Sequence, residues 1–500
     1  MRTTLLLEIA ADAGCDRIAI GGLANGLTGA MLRDRAKTVA SWVQGQGEAQ
    51  QLAFIGLNGE TVPLLLFAAG YAGIPFVPIN YRLPDADLNR LVARTSPSVL
   101  VIDDDMIPRL DAVAGVTVIP RSQLENEIAT GPVPEDFVEG EGEIAVLLFT
   151  SGTTGEPKAA VLRHENLTSY VMGTTEFLGC DEDEAALVSV PPYHIAGISA
   201  ILTSIYSGRR IVYLPAFTPE SWAEMAAAER ISQAMVVPTM LDRILDILEQ
   251  KDEHLPALRA LSYGGGRMPE PVIARALKAL PHVDFVNAYG LTETSSTIAL
   301  LGADDHRIAI ASDDPEIRQR LCSVGKPLPT IELEIRDEQG QCVPAGTSGE
   351  IHVRGDQVSG EYLGKQGLCA QGWFATNDAG WLDRDGYLYV EGRLDDVIVR
   401  GGENISPGEI EDVLRTHPGV ADVAVLGLPD DQWGEKIAAV IVARDGAADA
   451  ANLSDYVRSR LRSTKTPECW HFRDELPYNE TGKLLRRVLK SELSEPATIG

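Results

Sequence analysis

Apolar and polar residues follow two rhythms along this chain, one typical of buried strands and the other of amphipathic helices. The apolar runs predict strands at 52–56, 74–79, 98–102, 143–149, 186–190, 210–214, 234–237 and 283–287. The segments with helical periodicity lie between them, at 61–72, 218–230, 239–250 and 269–280. This alternation predicts α/β layers built around mostly parallel sheets.

The pattern changes after about residue 320, where short strands alternate with turns rich in glycine and aspartate. Strands at 330–336, 350–354 and 386–392 predict a β-rich subdomain, and the last part of the chain returns to mixed helix and strand. A chain of 500 residues is too long for one compact core, so two or more domains are expected. The polar segment 392–396 lies between two apolar strands and is either a hairpin corner or a domain boundary.

Composition narrows the class of protein. The net charge of −29 disfavours nonspecific binding to nucleic acid or to an anionic membrane. Prolines and glycines divide the apolar stretch 61–79 into a helix and a strand, so no stable membrane insertion is expected. The cysteines are far apart and predict neither a disulfide framework nor a zinc site, which favours a reducing cytoplasm. They are Cys15, Cys180, Cys322, Cys342, Cys369 and Cys469.

Residues 150–158 read T-S-G-T-T-G-E-P-K and directly follow a predicted strand. Such a loop can bind phosphate through its backbone N–H groups, its hydroxyls and its lysine. The alternative is a plain Gly/Thr turn. The spacing is not that of a Walker loop. The order S-G-T-T-G-x-P-K resembles the phosphate loop of the adenylate-forming superfamily, which includes acyl-CoA synthetases, peptide-synthetase adenylation domains and luciferases. The resemblance implies ATP contacts from Thr150, Ser151, Gly152, Thr153, Thr154, Gly155 and Lys158, with Thr153 also near the metal and Thr154 also catalytic.

Further segments resemble the same family in the same order. His194, in P-P-Y-H-I-A-G, would gate the carboxylate site, and Gly264, Gly265 and Gly266 would lie against the adenine. The segment 287–293 reads N-A-Y-G-L-T-E; in the family pattern Tyr289 stacks on adenine and Glu293 is directed at Mg²⁺. The resemblance also implies nucleotide contacts from Asn287, Ala288, Gly290 and Thr292.

Two segments nearer the C-terminus extend the resemblance. Asp378 corresponds to the aspartate of a T-G-D motif that accepts hydrogen bonds from the ribose, and Arg393 would face the ribose or a phosphate. Asn377 stands where the family usually has glycine; asparagine tolerates positive φ, so the turn is expected to survive. Lys483, in P-x-x-x-x-G-K, would bridge the attacking carboxylate and the α-phosphate, the alternative being a solvent-exposed lysine in a basic tail.

The segment R-G-G-E-N at 400–404 is similar to that of CoA ligases. By that analogy Gly402 lines the pantetheine tunnel, and the CoA-binding residues are Gly401, Gly402, Glu403, Trp433 and Lys465. Trp433 would stack on the CoA adenine, although a packing role is the alternative.

The acyl pocket is expected from family positions to be lined by Ile195, Ala196, Gly264, Ala288, Gly290, Ser295 and Ser296. These residues are mostly small, and no arginine or lysine stands out as a partner for a second carboxylate. An aliphatic or aryl monocarboxylate is therefore expected.

As a whole, the resemblance implies a large N-terminal domain (1–394) of two layered α/β subdomains plus a β-rich subdomain. A small mobile α+β domain (395–500) would follow a hinge at Asp395. The implied enzyme is an ATP- and Mg²⁺-dependent acid–thiol ligase that forms acyl-CoA by domain alternation. Alternatives are a non-CoA acceptor (carrier protein, amine or small oxyanion) and a non-catalytic nucleotide-binding homologue. A homodimer is left open as an expectation.

Overall fold

The computed structural model describes residues 1–14, 16–47, 49–133, 135–150, 157–401, 403–430, 432–444, 448–478 and 484–494. Several residues singled out from the sequence lie outside this part of the chain. They are Cys15, Ser151, Gly152, Thr153, Thr154, Gly155, Gly402 and Lys483.

Strands and helices alternate through most of the described chain. The strands are β1 (Ile18–Ile20), β2 (Leu27–Thr28), β3 (Gln51–Ile55), β4 (Phe76–Pro78), β5 (Ser98–Ile102), β6 (Val116–Pro120), β7 (Ile144–Thr150), β8 (Lys158–Arg163), β9 (Ala185–Val188), β10 (Arg210–Tyr213), β11 (Gln233–Val236), β12 (Ala260–Gly264), β13 (Asp284–Leu291), β14 (Ser296–Leu301), β15 (Lys326–Pro327), β16 (Glu332–Arg336), β17 (Gly349–Arg354), β18 (Glu361–Tyr362), β19 (Lys365–Gln366), β20 (Phe374–Leu382), β21 (Leu388–Arg393), β22 (Ile398–Arg400), β23 (Glu403–Ile405), β24 (Val420–Asp430), β25 (Gly434–Ala443) and β26 (Cys469–Arg473). The helices are α1 (Thr3–Ala13), α2 (Gly29–Gln44), α3 (Thr61–Ala72), α4 (Asp85–Arg94), α5 (Arg121–Gln123), α6 (His164–Thr174), α7 (Ile195–Ser207), α8 (Pro219–Ala228), α9 (Pro238–Lys251), α10 (Glu270–Ala279), α11 (Ala303–Ala311), α12 (Pro315–Gln319), α13 (Pro407–Arg415), α14 (Ala450–Arg458) and α15 (Arg486–Ser494).

Two large sheets form the first part of the molecule. The nine-stranded sheet has the order β15-β14-β13-β12-β11-β9-β10-β1-β2, and its strands β10, β9, β11, β12 and β13 are parallel. The eight-stranded sheet has the order β19-β18-β8-β7-β4-β3-β5-β6, with β7, β4, β3, β5 and β6 parallel. Parallel neighbours need crossover connections, which the intervening helices supply.

The apolar stretch that follows β3 is a core helix. Helix α3 is buried on all sides from Thr61 to Tyr71, and it packs in one cluster with residues of both large sheets, such as Phe54 and Ile211. A helix that is apolar all round belongs in the interior. It ends at Gly73, whose φ of 75° is the left-handed conformation that terminates helices without strain at glycine. Within the described residues no helix is both long and apolar enough to cross a membrane.

Two smaller sheets follow. Strands β16, β17, β20 and β21 form an antiparallel four-stranded sheet. After β21 a single 3-10 turn, Leu394–Asp396, leads to β22 of a separate sheet formed by β23, β22, β25, β24 and β26. The polar segment predicted as a corner or a boundary is thus the connection between two sheets.

The predicted fold class, mixed α/β with several sheets and a smaller C-terminal part, is confirmed. The helix at 61–72 and the strand at 98–102 have the predicted bounds. The strand predicted at 283–287 is longer, Asp284–Leu291, because its second half pairs antiparallel with β14. Tyr289, expected just after that strand, consequently lies within it.

Candidate active site

The candidate site lies along the carboxyl ends of neighbouring strands in the nine-stranded sheet. His194 follows β9, Gly264 ends β12, and Tyr289 lies near the end of β13, just before Glu293. Ligands of open α/β sheets bind in the crevice outside this edge. Motifs far apart in the sequence therefore reach one edge of one sheet.

The predicted phosphate loop connects two paired strands of the eight-stranded sheet, β7 and β8. Strand β7 ends at Thr150 and β8 begins at Lys158, and these two residues are partners in the antiparallel pair. The Thr150 hydroxyl donates to the main-chain carbonyl of Lys158 at 3.4 Å. The residues at the tip of the loop lie outside the described chain, so their phosphate contacts stay a prediction.

Glu293 is held firmly at the other side of the site. It lies in the 3-10 turn Thr292–Thr294, and it is only 8% exposed. Its carbonyl accepts from the N–H groups of Ser359 (2.9 Å) and Gly360 (3.0 Å). Its carboxylate Oε1 accepts from the Tyr362 hydroxyl at 2.6 Å. Burial and this carboxylate raise the pKa of Tyr362 above its ordinary value, so the phenol is the donor.

The residues present fit a Mg²⁺ ion that arrives with ATP. Among the described residues no group of three or more His, Cys, Asp or Glu side chains is arranged to hold a metal. Mg²⁺ commonly uses one or two carboxylates together with phosphate oxygens and water. Glu293 can supply the one carboxylate, and the triphosphate would supply the other oxygens.

Three predicted nucleotide residues form one cluster. The Tyr289 hydroxyl donates to Asp378 Oδ2 at 2.6 Å, and Arg393 Nε lies 3.2 Å from Asp378 Oδ1. Asp378 and Arg393 are partners in the β20–β21 pair, so the ion pair follows from sheet register. Burial and the Asp378 carboxylate raise the pKa of Tyr289 well above its ordinary value. Each carboxylate oxygen has two lone pairs and can accept from a ribose hydroxyl in addition to protein donors.

Asn377 adopts the conformation expected where the family has glycine. Its φ is +60°, the left-handed region that asparagine tolerates better than most residues. Its side-chain amide donates to Asp395 Oδ2 at 3.2 Å, and Asp395 lies in the turn between the two small sheets. The departure from glycine thus adds a contact to the predicted hinge.

The glycines of the site serve different purposes. A Cβ at Gly264 would lie 2.3 Å from the carbonyl oxygen of Ala288, and one at Gly290 would lie 1.9 Å from that of Ser296. Both are therefore required by strand packing itself. Gly265 and Gly266 are exposed, and a Cβ at either would meet nothing closer than 3.6 Å. These two are the glycines with room for a flat base.

The predicted acyl pocket is assembled from the start of α7 and the start of β14. Ile195 and Ala196 begin α7, and Ser199 on the next turn contacts Ser296 with 3.2 Å between the two hydroxyl oxygens. Ser295 is fully buried with φ of +54°. This contact brings the two groups of pocket residues, far apart in sequence, to one place.

His194 and Asn287 are tied to the protein around them. His194 precedes α7, and its ring lies 6.0 Å from that of Tyr193. Asn287 is 6% exposed, and its amide donates to the carbonyl of Ser323 at 2.9 Å. At least one amide hydrogen of Asn287 is therefore used within the protein, and its contact with nucleotide stays a prediction.

Of the described residues predicted to bind CoA, Glu403 begins β23 of the last sheet, Gly401 and Trp433 lie in turns beside its strands, and Lys465 ends the 3-10 turn Ser463–Lys465. The Gly401 N–H donates to the carbonyl of Trp433 at 2.8 Å, and the Trp433 side chain is 45% exposed. The Arg400 guanidinium lies 5.3 Å from its ring centroid. Lys465 forms an ion pair with Glu409. An exposed indole flanked by an arginine is suited to stacking, whereas Lys465 has a protein partner already.

Residues on both sides of Lys483 are described. Tyr478 and Leu484 form an antiparallel bridge, and the Leu485 N–H donates to the carbonyl of Pro477 at 2.8 Å. Arg486 forms an ion pair with Glu411, which is 3% exposed. Burial alone would raise the pKa of Glu411, but the arginines beside it hold that pKa below its ordinary value.

Sequence reasoning missed two residues that the structure places beside the site. Tyr362 contacts both Lys158 and Glu293, and Arg267, directly after the glycines, forms an ion pair with Asp412 of α13. Neither residue carries a local signal, since the partners of both are far away along the chain. The sequence S-G-E-Y-L around Tyr362 indicates only a short edge strand.

The chain belongs to the AMP-binding enzyme family, whose model matches residues 7–363. The model of the AMP-binding enzyme C-terminal domain matches residues 409–483. Membership of the adenylate-forming superfamily, predicted from the motifs, is thereby confirmed.

Three proteins illustrate what the chain is similar to. A feruloyl-CoA synthase of Amycolatopsis sp is 33% identical over 476 residues, 93% of either chain. The o-succinylbenzoate CoA synthetase of Bacillus subtilis, in complex with its acyl-adenylate intermediate, is 28% identical with a TM-score of 0.83 over 98% of both chains. The same enzyme has been solved with ATP and a magnesium ion. The amide bond synthetase of Marinactinospora thermotolerans is 26% identical, with a TM-score of 0.86 over 99% of this chain and 100% of its own.

These relatives confirm the predicted enzyme class, an AMP-forming carboxylate–CoA ligase, and its small-molecule co-substrates ATP, Mg²⁺ and CoA.

Proposed function

We propose that this chain activates an aryl carboxylic acid with Mg·ATP and transfers the acyl group to coenzyme A. The observation that carries the proposal is the convergence of the Tyr289–Asp378–Arg393 cluster and the Glu293 carboxylate at one sheet edge. The cluster offers acceptors to a ribose, and Glu293 offers an anionic ligand beside the triphosphate. Together they match the two ends of a nucleotide substrate.

In the first half-reaction a carboxylate oxygen attacks the α-phosphorus, a new P–O bond forms, and pyrophosphate leaves. The Mg²⁺ ion, held by Glu293 and phosphate oxygens, supplies charge neutralisation when it is bound. Lys158 and Lys483 are assigned to the phosphates, where ammonium groups stabilise the charge that grows on the transferring group. Thr150 and the loop residues 151–155 would orient that group.

In the second half-reaction the CoA sulfur attacks the acyl carbonyl, the thioester forms, and AMP leaves. We assign His194 to the gate of the carboxylate site, and Gly401, Gly402, Glu403, Trp433 and Lys465 to CoA. Residues 1–394 would act as the adenylating domain and 395–500 as the lid that turns about Asp395. The single turn between β21 and β22 supports this division, because it is the connection between two separate sheets.

We propose an aryl monocarboxylate as the acid. The relatives include a feruloyl-CoA synthase, and the pocket assigned here is lined by small residues at the ends of β12 and β13. The Ser199–Ser296 contact adds polarity to the wall of the assigned pocket.

We place the enzyme in the cytoplasm as a homodimer. The described cysteines Cys180, Cys322, Cys342, Cys369 and Cys469 are free thiols, which agrees with a reducing compartment. Light scattering during size-exclusion chromatography measures the oligomeric state directly, and a monomer at working concentration would remove the dimer from the proposal.

A panel of carboxylic acids with Mg·ATP tests the function. Cinnamate and benzoate derivatives, medium-chain fatty acids and an aryl dicarboxylate are each incubated without acceptor, with CoA, or with a simple amine. Pyrophosphate release and product mass are recorded together. Thioester from aryl monocarboxylates is expected; amide without thioester would establish the alternative acceptor, and fatty acyl thioester alone would contradict the aryl assignment.

Two variants separate the half-reactions. Lys483→Ala is expected to abolish adenylate formation and leave ATP binding nearly unchanged, and full adenylation by this variant would contradict its assignment. Gly402→Leu is expected to keep adenylation and suppress thioester formation. Equal loss of both steps would contradict the tunnel assignment.

A further inference from the structure

Tyr362 joins two residues of the proposed chemistry that come from different sheets. Strand β18 pairs antiparallel with β8, so Tyr362 lies opposite Ala160. Lys158 lies two residues from Ala160 on the same strand, and side chains two residues apart share one face of a sheet. The ring of Tyr362 is therefore on the face of Lys158, and its centroid lies 5.7 Å from Lys158 Nζ.

Glu293 reaches Tyr362 from the nine-stranded sheet. The phenol donates to the Glu293 carboxylate at 2.6 Å, while Ser359 and Gly360, on the same segment as Tyr362, bind the Glu293 carbonyl. One segment thus fixes both the main chain and the carboxylate of Glu293. Within the described contacts Lys158 and Glu293 form no ion pair with each other, although Tyr362 touches both.

We propose that Tyr362 is a positioning residue for the adenylation step. It holds the Glu293 carboxylate and the Lys158 ammonium ready for Mg·ATP and keeps these opposite charges from pairing with each other. Two forces serve this role: a charge-assisted hydrogen bond to the carboxylate, and the attraction of the ring face for the ammonium. The inference rests on the proposed function in one respect, that Glu293 and Lys158 serve Mg·ATP.

Substitutions of Tyr362 separate its two contacts. Tyr362→Phe removes the hydroxyl and keeps the ring, whereas Tyr362→Leu removes both. Tyr387→Phe is the matched control, because its hydroxyl makes the same kind of bond, 2.6 Å to Asp305 Oδ1, and neither residue belongs to the proposed site. Calorimetric titration gives the Kd of ATP with and without Mg²⁺, and pyrophosphate exchange gives KM and kcat separately.

Tyr362→Phe is expected to reduce the Mg²⁺-dependent gain in ATP affinity by about 10-fold, the effect of one hydrogen bond to a charged group. Binding of metal-free ATP stays within about 2-fold of the wild type, because Lys158 keeps its aromatic contact. Tyr362→Leu is expected to weaken metal-free ATP by about a further 3-fold. The control variant behaves as the wild type in both titrations.

A double-mutant cycle with Glu293→Gln makes the test specific. If Tyr362 acts through Glu293, adding Tyr362→Phe to Glu293→Gln changes Mg·ATP binding by less than about 2-fold. Additive losses of Mg·ATP affinity in the double variant would overturn the proposal. Two other results would do the same: Tyr362→Phe binding ATP and Mg·ATP as the control variant does, or an equal loss of both affinities together with a lowered melting temperature. Failure of the wild type to bind ATP or exchange pyrophosphate would instead refute the proposed function, so the two failures are distinguishable.

Discussion

Removing the ion pair between Arg267 and Asp412 is predicted to shift the balance between the two half-reactions. Arg267 directly follows the glycines proposed to face the adenine, and Asp412 lies on α13, within the segment matched by the C-terminal domain model. The guanidinium also lies against Gly408, where a Cβ would be 2.3 Å from Arg267 Nη1. The pair therefore joins the two segments that the proposed alternation must move apart.

The structure sets the size of the effect. The two side chains are 34% and 30% exposed, which places the pair between a solvated surface contact and a buried one. Burial raises the pKa of Asp412, although the positive charges of Arg267 and Arg415 act in the opposite direction. A pair of this kind contributes about 1 kcal/mol. Arg267→Ala should therefore change the ratio of the two domain arrangements by about 5-fold.

The assay measures each half-reaction separately. ATP–pyrophosphate exchange reports adenylation, and a single turnover of preformed acyl-adenylate with CoA reports thioester formation. A double-mutant cycle is completed by Arg267→Ala, Asp412→Ala and the double variant. A charge swap is unsuitable, because an arginine at position 412 would face Arg415, whose guanidinium lies 3.5 Å from the Asp412 carboxylate. Arg318→Ala is the control, since its pair with Glu270 is exposed and lies outside the C-terminal segment.

Each single variant should move the ratio of the two rates by about 5-fold in the same direction, and the double variant should move it no further. ATP affinity should stay at the wild-type value. An equal loss in both half-reactions, or additive effects in the double variant, would refute the reasoning.

Three further predictions concern single positions. Burial and Arg2 lower the pKa of His164 to about 3, so the folded protein binds a proton there less readily than the unfolded chain does. The free energy of unfolding should therefore be about 2 kcal/mol lower at pH 5 than above pH 6.5. Urea unfolding of His164→Gln should lack this pH-dependent loss. Asn377→Ala should cost about 2 kcal/mol in thermal unfolding through left-handed strain and the lost Asp395 bond. Asn377→Gly should cost only about 1 kcal/mol, because it loses the bond without the strain. Tyr289→Phe should raise the KM for ATP about tenfold.

Each of these predictions has a clear contrary result. Parallel pH profiles for the wild type and His164→Gln would show that another group controls acid stability. Equal stability of the alanine and glycine variants at 377 would show that the left-handed backbone is not strained. An unchanged KM for ATP in Tyr289→Phe, with kcat also unchanged, would separate the Tyr289–Asp378 bond from nucleotide binding.

Hydrophobic pattern predicted the layered part of the fold well. The helix Thr61–Ala72 and the strand Ser98–Ile102 have the predicted bounds because both are short, mainly apolar and flanked by turn-forming residues. The end of β13 was less predictable. Its second half, residues 288–291, alternates the small Ala288 and Gly290 with Tyr289 and Leu291, and it pairs antiparallel with β14.

Local motifs pointed to the residues of the site, whereas contacts between distant segments decide how those residues are arranged. Asp378 and Arg393 are fifteen residues apart, and they meet because β20 and β21 place them opposite each other. Tyr362 carries no motif of its own; it meets Lys158 because β18 pairs with β8, and it meets Glu293 because the turn after β13 of the other large sheet lies against it. No local pattern encodes such a contact, because the partner residues are selected by strand order.

The sequence by itself determined the family and the class of chemistry, and it supplied the residues proposed to carry that chemistry, since phosphate-binding loops and catalytic lysines depend on local residue order. Only the tertiary structure decided which glycines are free to face a base, which carboxylate oxygens are already occupied, and which side chains hold the two sheets together at the site. The physical reason is that hydrogen bonds and close packing act through space, between residues that the chain brings together only after its sheets have formed.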